Sequence, residues 1–245
     1  MIYDKLAVAL LSMLSTEQQG TTNATIARYL VEHGAELPDL TVKGIAAACS
    51  VGVGSVSRFC RDAGFADFGE LRSALVDSGR SFESAPASHA ELVGTALRQV
   101  EDSIDRRLLS LLVNDLRTYD HILTCGMLKA QAAAVDLQVD LLMLGKYVKT
   151  CVSYAEQLER IAAAGRDELV VVFSYTGSYF DAHDLSTQLS RLDRPRIWMV
   201  TGTRRPQPDY VYGCLPFESG HSQLAHPFQL EMAAAIIAQE YARRR

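Results

Sequence analysis

The stretch VKGIAAACSVGVGSVSRFCRDAGF, residues 42–65, decides how the first third of the chain folds. Its beginning predicts a short helix with one apolar side, and its end predicts a second helix after a turn at residues 50–52. On the second helix, apolar residues recur at i, i+3, i+4 and i+7, which is the spacing of a buried face. These residues are Val56, Phe59, Cys60 and Ala63. The pattern is typical of a helix-turn-helix.

The opposite side of the second helix carries small, hydroxyl and guanidinium groups. They belong to Gly54, Ser57, Arg58 and Arg61. Small residues let a helix backbone come close to the major groove, and an arginine binds a guanine edge or a phosphate. The pattern therefore favours DNA binding. The alternative that spacing alone leaves open is an ordinary helical hairpin with a solvated polar face.

The overall charge gives no support for nucleic-acid binding. The chain has 245 residues and a net charge of −5, and residues 1–80 carry seven basic and nine acidic side chains. Any contact with DNA must therefore come from a local patch with few phosphate contacts. No apolar run reaches the roughly 18 residues that a membrane span needs. Five scattered cysteines without a CxxC pair suit a reducing cytosol, so we expect a cytoplasmic protein.

The composition of the chain changes after residue 77. The polar stretch DSGRSFESAPASHA, residues 77–90, lacks periodicity and predicts a linker. We therefore divide the chain into a helical domain (1–77), a linker (78–90) and a second domain (91–245). The second domain begins with a helical pattern over residues 92–116.

Strand-like runs then alternate with helical patterns, one of which is Tyr179–Leu192. The strand-like runs are residues 121–127, 146–152, 168–175, 196–202 and 210–216. Short apolar strands that alternate with helices predict an α/β domain with a parallel sheet covered on both faces.

Three loops of the second domain are candidates for binding an anion. They follow the first, third and fourth strands, and the carboxyl ends of parallel strands form one edge where ligands of open α/β sheets bind. Hydroxyl groups and free backbone N–H groups at a helix start bind phosphates. The candidate residues are Gly126, Lys129, Ser174, Thr176, Gly177, Ser178 and Thr201. Ser, Thr and Gly are also common turn formers, and this alternative stays open.

No arrangement of residues in the sequence predicts catalysis. Catalysis by proton transfer needs a base beside the substrate, and Glu218 or His221 could serve only if the loop over residues 217–226 folds across a pocket at the sheet edge. Metal-ligand spacings, Walker motifs and dinucleotide motifs are missing from the sequence. We therefore predict no catalytic residue, no metal site and no cofactor.

Residues 40–75 resemble the N-terminal domain of the RpiR/MurR family of bacterial regulators. The strings IAAACSV, SVSRFCRDAGF and FADFGELRSAL carry the resemblance. It implies a helical domain that pairs in a dimer and reads a palindromic operator in double-stranded DNA. Together with the spacing argument, the resemblance implies a set of DNA-binding residues: Thr41, Lys43, Gly52, Gly54, Ser55, Ser57, Arg58 and Arg61. Gly52 stands where the family usually has a serine that caps the helix.

Residues 89–245 resemble the SIS domain, the sugar isomerase domain of RpiR-type regulators. The loop SYTG, residues 174–177, resembles the family's Ser-x-Ser-Gly-x-Thr/Ser phosphate loop, although Tyr179 replaces a small hydroxyl residue. The first loop departs further, because Leu128 and Ala130 replace a glycine and a serine. The resemblance implies a five-stranded parallel sheet between helices that binds a phosphorylated sugar.

These expectations together describe a DNA-binding transcription regulator and not an enzyme. The resemblance implies a homo-oligomer, a dimer or a tetramer, that responds to a phosphorylated sugar or a related metabolite and has no membrane partner. One alternative is a phosphosugar isomerase with an accessory helical domain. Another is a regulator whose SIS-type domain only dimerises, which the altered first loop favours.

Overall fold

The computed structural model describes residues 10–11, 13–14, 20–33, 40–63, 65–77, 88–152, 154–181, 183–189, 193–220 and 225–244. The chain divides into two units, Tyr3–Phe82 and Glu83–Arg245. Residues 78–87 of the predicted linker lie outside the described residues, and its positions 89 and 90 already belong to a helix. In the described ranges, no helix is both long and apolar enough to cross a membrane.

The first unit is helical. It contains α1 (Thr22–Glu32), α2 (Val42–Ala48), α3 (Val53–Asp62) and α4 (Phe68–Asp77). Threonine caps begin the first two helices, because the Thr21 hydroxyl accepts from the Ala24 N–H at 3.2 Å and the Thr41 hydroxyl from the Gly44 N–H at 3.0 Å. One apolar core joins the helices; it includes Ile26, Leu30, Ile45, Val56, Phe59, Phe65 and Leu71.

The turn between α2 and α3 lies where the sequence predicts it. Ser50 adopts a positive φ of 55°, and the Val51 N–H donates to the Ala46 carbonyl at 2.9 Å, which closes the end of α2. The predicted apolar stripe is also confirmed. All four of its members are buried: Val56, Phe59, Cys60 and Ala63.

The second unit is an α/β domain. Its helices are α5 (His89–Ser103), α6 (Arg106–Thr118), α7 (Lys129–Met143), α8 (Tyr154–Ala163) and α9 (His226–Arg243). Its strands are β1 (His121–Gly126), β2 (Lys149–Thr150), β3 (Glu168–Phe173), β4 (Arg196–Thr201) and β5 (Val211–Pro216). The strands form one sheet of order β2-β1-β3-β4-β5 and every pair is parallel, which confirms the predicted five-stranded sheet.

Alternate residues of the strands enter two separate cores, one on each face of the sheet. On one face Ile122, Val171 and Trp198 pack with residues of α6, α7 and α9. On the other face Val172 and Met199 pack with α8 and with the segment after β3. The strand register aligns the carboxyl ends of β1, β3 and β4 at one edge.

The structure corrects the expectation of one helix over residues 92–116. The chain forms two helices, α5 and α6, because Ile104 is extended (φ −64°, ψ 125°) and Asp105 starts a new helix. The Asp105 carboxylate accepts from the N–H groups of Arg107 and Leu108 at 2.8 and 3.0 Å. A side chain that satisfies two orphan donors stabilises a helix start at this point.

The helix expected over Tyr179–Leu192 is also wrong for the residues that the structure describes. Residues 179–181 and 183–189 form turns and bends, and Phe180, Leu185 and Leu189 belong to the core on the α8 face of the sheet. The Asp184 carboxylate accepts from the N–H and the hydroxyl of Ser186 at 3.0 and 2.6 Å. Such local side-chain bonds compete with a continuous helix. The strand expected over 146–152 shortens to the two residues of β2.

Candidate functional site

The predicted DNA-contacting side of α3 faces solvent. Arg58, Arg61 and Gly54 are exposed, while Ser55 and Ser57 are half-buried. The buried stripe on the other side fixes this orientation, because a helix that buries one face must present the opposite one. The structure therefore keeps these candidate residues on one outward side.

Three other candidates of the first unit lie at helix starts. The exposed Thr41 is the cap of α2, so its hydroxyl already accepts a backbone N–H. Lys43 follows in the first turn of α2 and is exposed. Gly52 is the cap position of α3 in extended backbone (φ −71°, ψ 149°), and no side chain caps that helix. The serine cap that the family usually has at this position is therefore not replaced by another group.

In the second unit, the turn after β1 is shaped by close packing. A Cβ atom on Gly126 would lie 2.4 Å from the carbonyl oxygen of Ala130, so only glycine fits between β1 and the first turn of α7. Leu128 takes a φ of 51° and a ψ of −118°, a conformation that favours glycine. Lys129 is exposed at the start of α7. The chain thus keeps the bend of a glycine-rich turn with a leucine in place of its second glycine.

The loop after β3 is a tight, hydroxyl-bearing turn. Gly177 has a φ of 69°, and its N–H donates to the Ser174 carbonyl at 2.9 Å. The hydroxyls of Thr176 and Ser178 lie 2.6 Å apart in a hydrogen bond, and both residues are half-buried. The Ser174 side chain is buried beside them. Four predicted residues therefore come together in this turn, which we call the hydroxyl loop (residues 174–178).

Thr201, at the end of β4, lies beneath this loop with its side chain buried. Its hydroxyl donates to the Tyr175 carbonyl at 3.2 Å and accepts from the Thr203 N–H at 3.2 Å. These bonds attach the hydroxyl loop to the end of β4. In this conformation the hydrogen bonds of the Thr201 hydroxyl are made within the protein.

A buried glutamine of α8 connects the first two candidate loops. The Gln157 side-chain nitrogen donates to the Gly126 carbonyl at 2.9 Å and to the Cys151 carbonyl at 2.8 Å. Its side-chain oxygen accepts from the Tyr179 hydroxyl at 2.7 Å. Burial raises the pKa of Tyr179 well above its ordinary value, so the phenol stays protonated and remains a donor. We call these bonds the Gln157 network.

A charged pair lies beside the hydroxyl loop. The Arg205 guanidinium forms two hydrogen bonds of 2.8 and 3.1 Å to the Asp181 carboxylate. A Cβ on Gly177 would lie 3.1 Å from Cδ of Arg205, so the arginine stem packs directly on the loop backbone. The Gln207 side chain donates to the Gly177 carbonyl at 3.1 Å. The segment after β4 therefore holds the loop from outside.

Of the two residues considered as an isomerase base, the structure describes Glu218. Glu218 is exposed, and its N–H donates to the Ser103 hydroxyl at 2.8 Å. His221 lies outside the described residues. The segment that carries Glu218 approaches the hydroxyl loop, because the Phe217 ring lies near the Tyr175 ring and the Tyr175 and Ser219 hydroxyls share a hydrogen bond.

Sequence reasoning missed three residues that the structure places at these sites: Val53, Gln157 and Arg205. Val53 is an exposed apolar residue at the start of α3. Its signal in the sequence was its place between two glycines. Gln157 and Arg205 lie 31 and 28 positions along the chain from Gly126 and Gly177, and no local pattern relates such distant residues.

A comparison with protein families identifies the first unit. A family model described as the helix-turn-helix domain of the rpiR family matches residues 8–81. This match covers the whole of α1 to α4 and confirms the resemblance of the N-terminal part. No curated protein matches the chain.

Solved structures share the fold of the chain. The Vibrio vulnificus NanR protein complexed with ManNAc-6P has a TM-score of 0.57 at 16% identity, and the match covers 98% of this chain and 92% of that one. The Escherichia coli CFT073 protein c3406 has a TM-score of 0.53 at 13% identity over 64% of this chain and 87% of that one. These likenesses confirm the fold class, a helical domain followed by an α/β domain with a five-stranded parallel sheet.

Proposed function

We propose that this chain, whose residues 8–81 belong to the rpiR family of helix-turn-helix domains, regulates transcription by binding DNA and responds to a phosphorylated sugar or a related metabolite. As such a regulator it acts in the cytoplasm, where bacterial DNA lies. Its DNA partner is a palindromic operator, which a homodimer or a higher homo-oligomer contacts with two copies of α3.

The observation that carries the DNA-binding part is the outward side of α3. Arg58 and Arg61 are exposed on it, and the small Gly54 lies at its beginning. Guanidinium groups pair with guanine edges and phosphates, and a recognition helix contacts bases with its N-terminal residues. Since the rest of the domain is acidic, this side is the patch through which the domain approaches DNA.

The observation that supports a metabolite is the hydroxyl loop at the carboxyl edge of the sheet. Ser174, Thr176 and Ser178 supply hydroxyl groups. The stem of Arg205 packs on Gly177, and its guanidinium, which is paired with Asp181, would bind a phosphate by exchanging that carboxylate for the ligand. A phosphate needs this combination of hydroxyl, backbone and guanidinium donors. The NanR protein, which shares the fold, is described as a complex with ManNAc-6P, and this suggests the class of ligand for the edge.

We propose that ligand binding changes operator affinity, with the segment 78–90 joining a DNA-binding domain (1–77) to a sensing domain (91–245). Such coupling requires that the ligand bind more tightly to one of two arrangements of the regulator. In this proposal the domain of residues 91–245 binds the ligand without converting it.

A second candidate function is a regulator whose sensing domain only dimerises. The Gln157 network favours it, because the turn after β1 is bonded to α8 by protein groups. Thr201 favours it too, because its hydroxyl is occupied by Tyr175 and Thr203.

The experiment has two arms. First, the full chain selects binding sites from a random DNA pool; we expect a palindromic site, and a pool without enrichment would contradict DNA recognition. Second, thermal shift is measured with a panel of sugar phosphates. Ser174→Ala combined with Thr176→Val should abolish the shift, whereas the exposed control Thr187→Val should keep it.

The outcomes separate the candidates. A wild-type melt that no sugar phosphate shifts would favour the dimerising domain. Turnover of aldose phosphates to ketose phosphates by the purified chain would show an isomerase.

A further inference from the structure

Two glycines lie at the start of α3, and neither is required there by a positive φ or by close packing. Neither Gly52 nor Gly54 has a positive φ. A Cβ on Gly54 would meet nothing within 4 Å, and one on Gly52 would lie 3.9 Å from the Ser55 hydroxyl oxygen. By contrast, a Cβ on Gly126 would collide with backbone. Glycine in a helix destabilises it relative to alanine, so the fold alone would favour alanine at Gly54.

Positions that break a local rule without a structural benefit are expected at functional surfaces. The effect of the two glycines is that no side chain flanks Val53 along the chain. Val53 is 48% exposed at the first position of α3. An isopropyl group therefore protrudes from a stretch of bare helix backbone.

The exposed arginines of α3 are complementary to a nucleic acid. Arg58 and Arg61 are exposed further along the same helix. The acidic residue of α3, Asp62, accepts a hydrogen bond from the Asn23 side chain of α1 at 3.1 Å. A positive surface with an apolar tip at the helix start fits the major groove, where the C5-methyl group of thymine is the apolar feature.

We infer that Val53 reads a thymine in each operator half-site by contact with its C5-methyl group, and that Gly52 and Gly54 allow the helix backbone to come close enough for this contact. The inference rests on the proposed DNA-binding function. It adds Val53 as a specificity-determining residue and names the base. Gly54 acts by leaving room, so a methyl group at position 54 would hold the helix away from the base edge.

The first test uses the operator that the full chain selects from a random pool. Each thymine is replaced in turn by deoxyuridine, which lacks only the methyl group. We expect one thymine per half-site at which the replacement weakens binding about fourfold, the effect of one buried methyl group. Val53→Ala should weaken binding to the unmodified operator and should remove the effect of deoxyuridine at that thymine.

The second test separates stability from recognition. Gly54→Ala should raise the melting temperature of the helix-turn-helix domain and yet weaken operator binding at least tenfold. Gly94→Ala is the matched control, because Gly94 lies within α5 and a Cβ there would be 3.8 Å from the nearest atom, Nη1 of Arg98. This control should leave operator binding unchanged.

The outcomes distinguish the inference from the proposed function. If a site is selected but deoxyuridine weakens the binding of Val53→Ala as much as that of the wild type, the contact between Val53 and the thymine methyl group is wrong. DNA binding by the chain would still be supported. Unchanged affinity in Gly54→Ala would likewise overturn the close approach of the backbone. A pool without any enriched site would overturn the proposed function itself.

Discussion

Tyr179 and Gln157 are joined by a hydrogen bond of 2.7 Å from the phenol hydroxyl to the amide oxygen. The nitrogen of the same amide donates to the Gly126 carbonyl, so one buried side chain joins the turn after β1 to the segment that follows the hydroxyl loop. Buried networks of this kind are stable only while every member has a partner. A ligand that displaced either loop would therefore disturb the other.

Loss of the phenol hydroxyl should destabilise the α/β domain. Tyr179→Phe leaves the Gln157 oxygen without the donor at 2.7 Å, and an unsatisfied buried acceptor costs about 1–3 kcal/mol. Urea unfolding followed by circular dichroism measures the change. Tyr147→Phe, at a side chain that is 64% exposed, is the control and should unfold like the wild type. Equal stabilities of the two variants would contradict the role of the network.

Replacement of Leu128 by glycine should stabilise the same domain. The φ of 51° at this residue strains a leucine and suits glycine, so Leu128→Gly should raise the free energy of unfolding by about 1 kcal/mol. Met127→Gly is the matched control, because Met127 has no positive φ and should lose stability on the same change. A decrease in both variants would show that Leu128 contributes more by packing than it loses by strain.

Removal of one guanidinium should weaken operator binding. Arg58→Ala should lower the affinity about 10- to 100-fold, the effect of losing one base or phosphate contact, without changing the melting temperature. The salt dependence of binding identifies the contact, since loss of a phosphate contact lowers the slope by about one and loss of a base contact does not. Arg72→Ala, at an exposed residue of α4, should bind normally. If both variants bind alike, the orientation of α3 on DNA is different from the one proposed.

The helix-turn-helix domain should lose stability at alkaline pH through Cys60. Burial, with a smaller contribution from the charge of Asp67, raises the pKa of this thiol from 9.0 to about 11. The pKa of the thiol is higher in the folded state than in the unfolded state. The free energy of unfolding is therefore unaffected by ionisation of this thiol below pH 9.0, and it falls as the pH rises towards 11 because only the unfolded chain then loses the proton. Melting temperatures of the domain between these values measure the effect. Cys60→Ala should be less stable at neutral pH but should decline less steeply, and an equal decline would exclude the thiol as the cause.

The parts of the fold that repeat regularly could be predicted from the sequence. The stripe of Val56, Phe59 and Cys60 repeats at helical spacing, and the runs around Val171 and Met199 are continuous apolar strands. Burial of one face of a helix, or of both faces of a strand, places apolar residues at regular spacings, and these spacings can be read from the sequence. The helix-turn-helix and the parallel sheet follow from them.

The predicted and observed helices differ where a single side chain forms hydrogen bonds with neighbouring residues. Asp105 begins a second helix inside a continuous apolar pattern, and Asp184 bonds to Ser186 where a helix was expected. The candidate loops after β1, β3 and β4 were found because hydroxyls and glycines mark them. Their connection through Gln157 could not be found, because the contact spans 31 positions and depends on the sheet register.

Trp198 is the sole tryptophan of the chain and lies in β4, buried, with its indole N–H donating to Asp115 at 2.8 Å. Its ring lies so close to Gly213 that a Cβ there would be 2.8 Å away. Light at the long-wavelength edge of the protein absorption band therefore excites only Trp198, in one buried environment, since tyrosine hardly absorbs there. Tryptophan fluorescence therefore reports the unfolding of the α/β domain alone, because the helical domain contains no tryptophan.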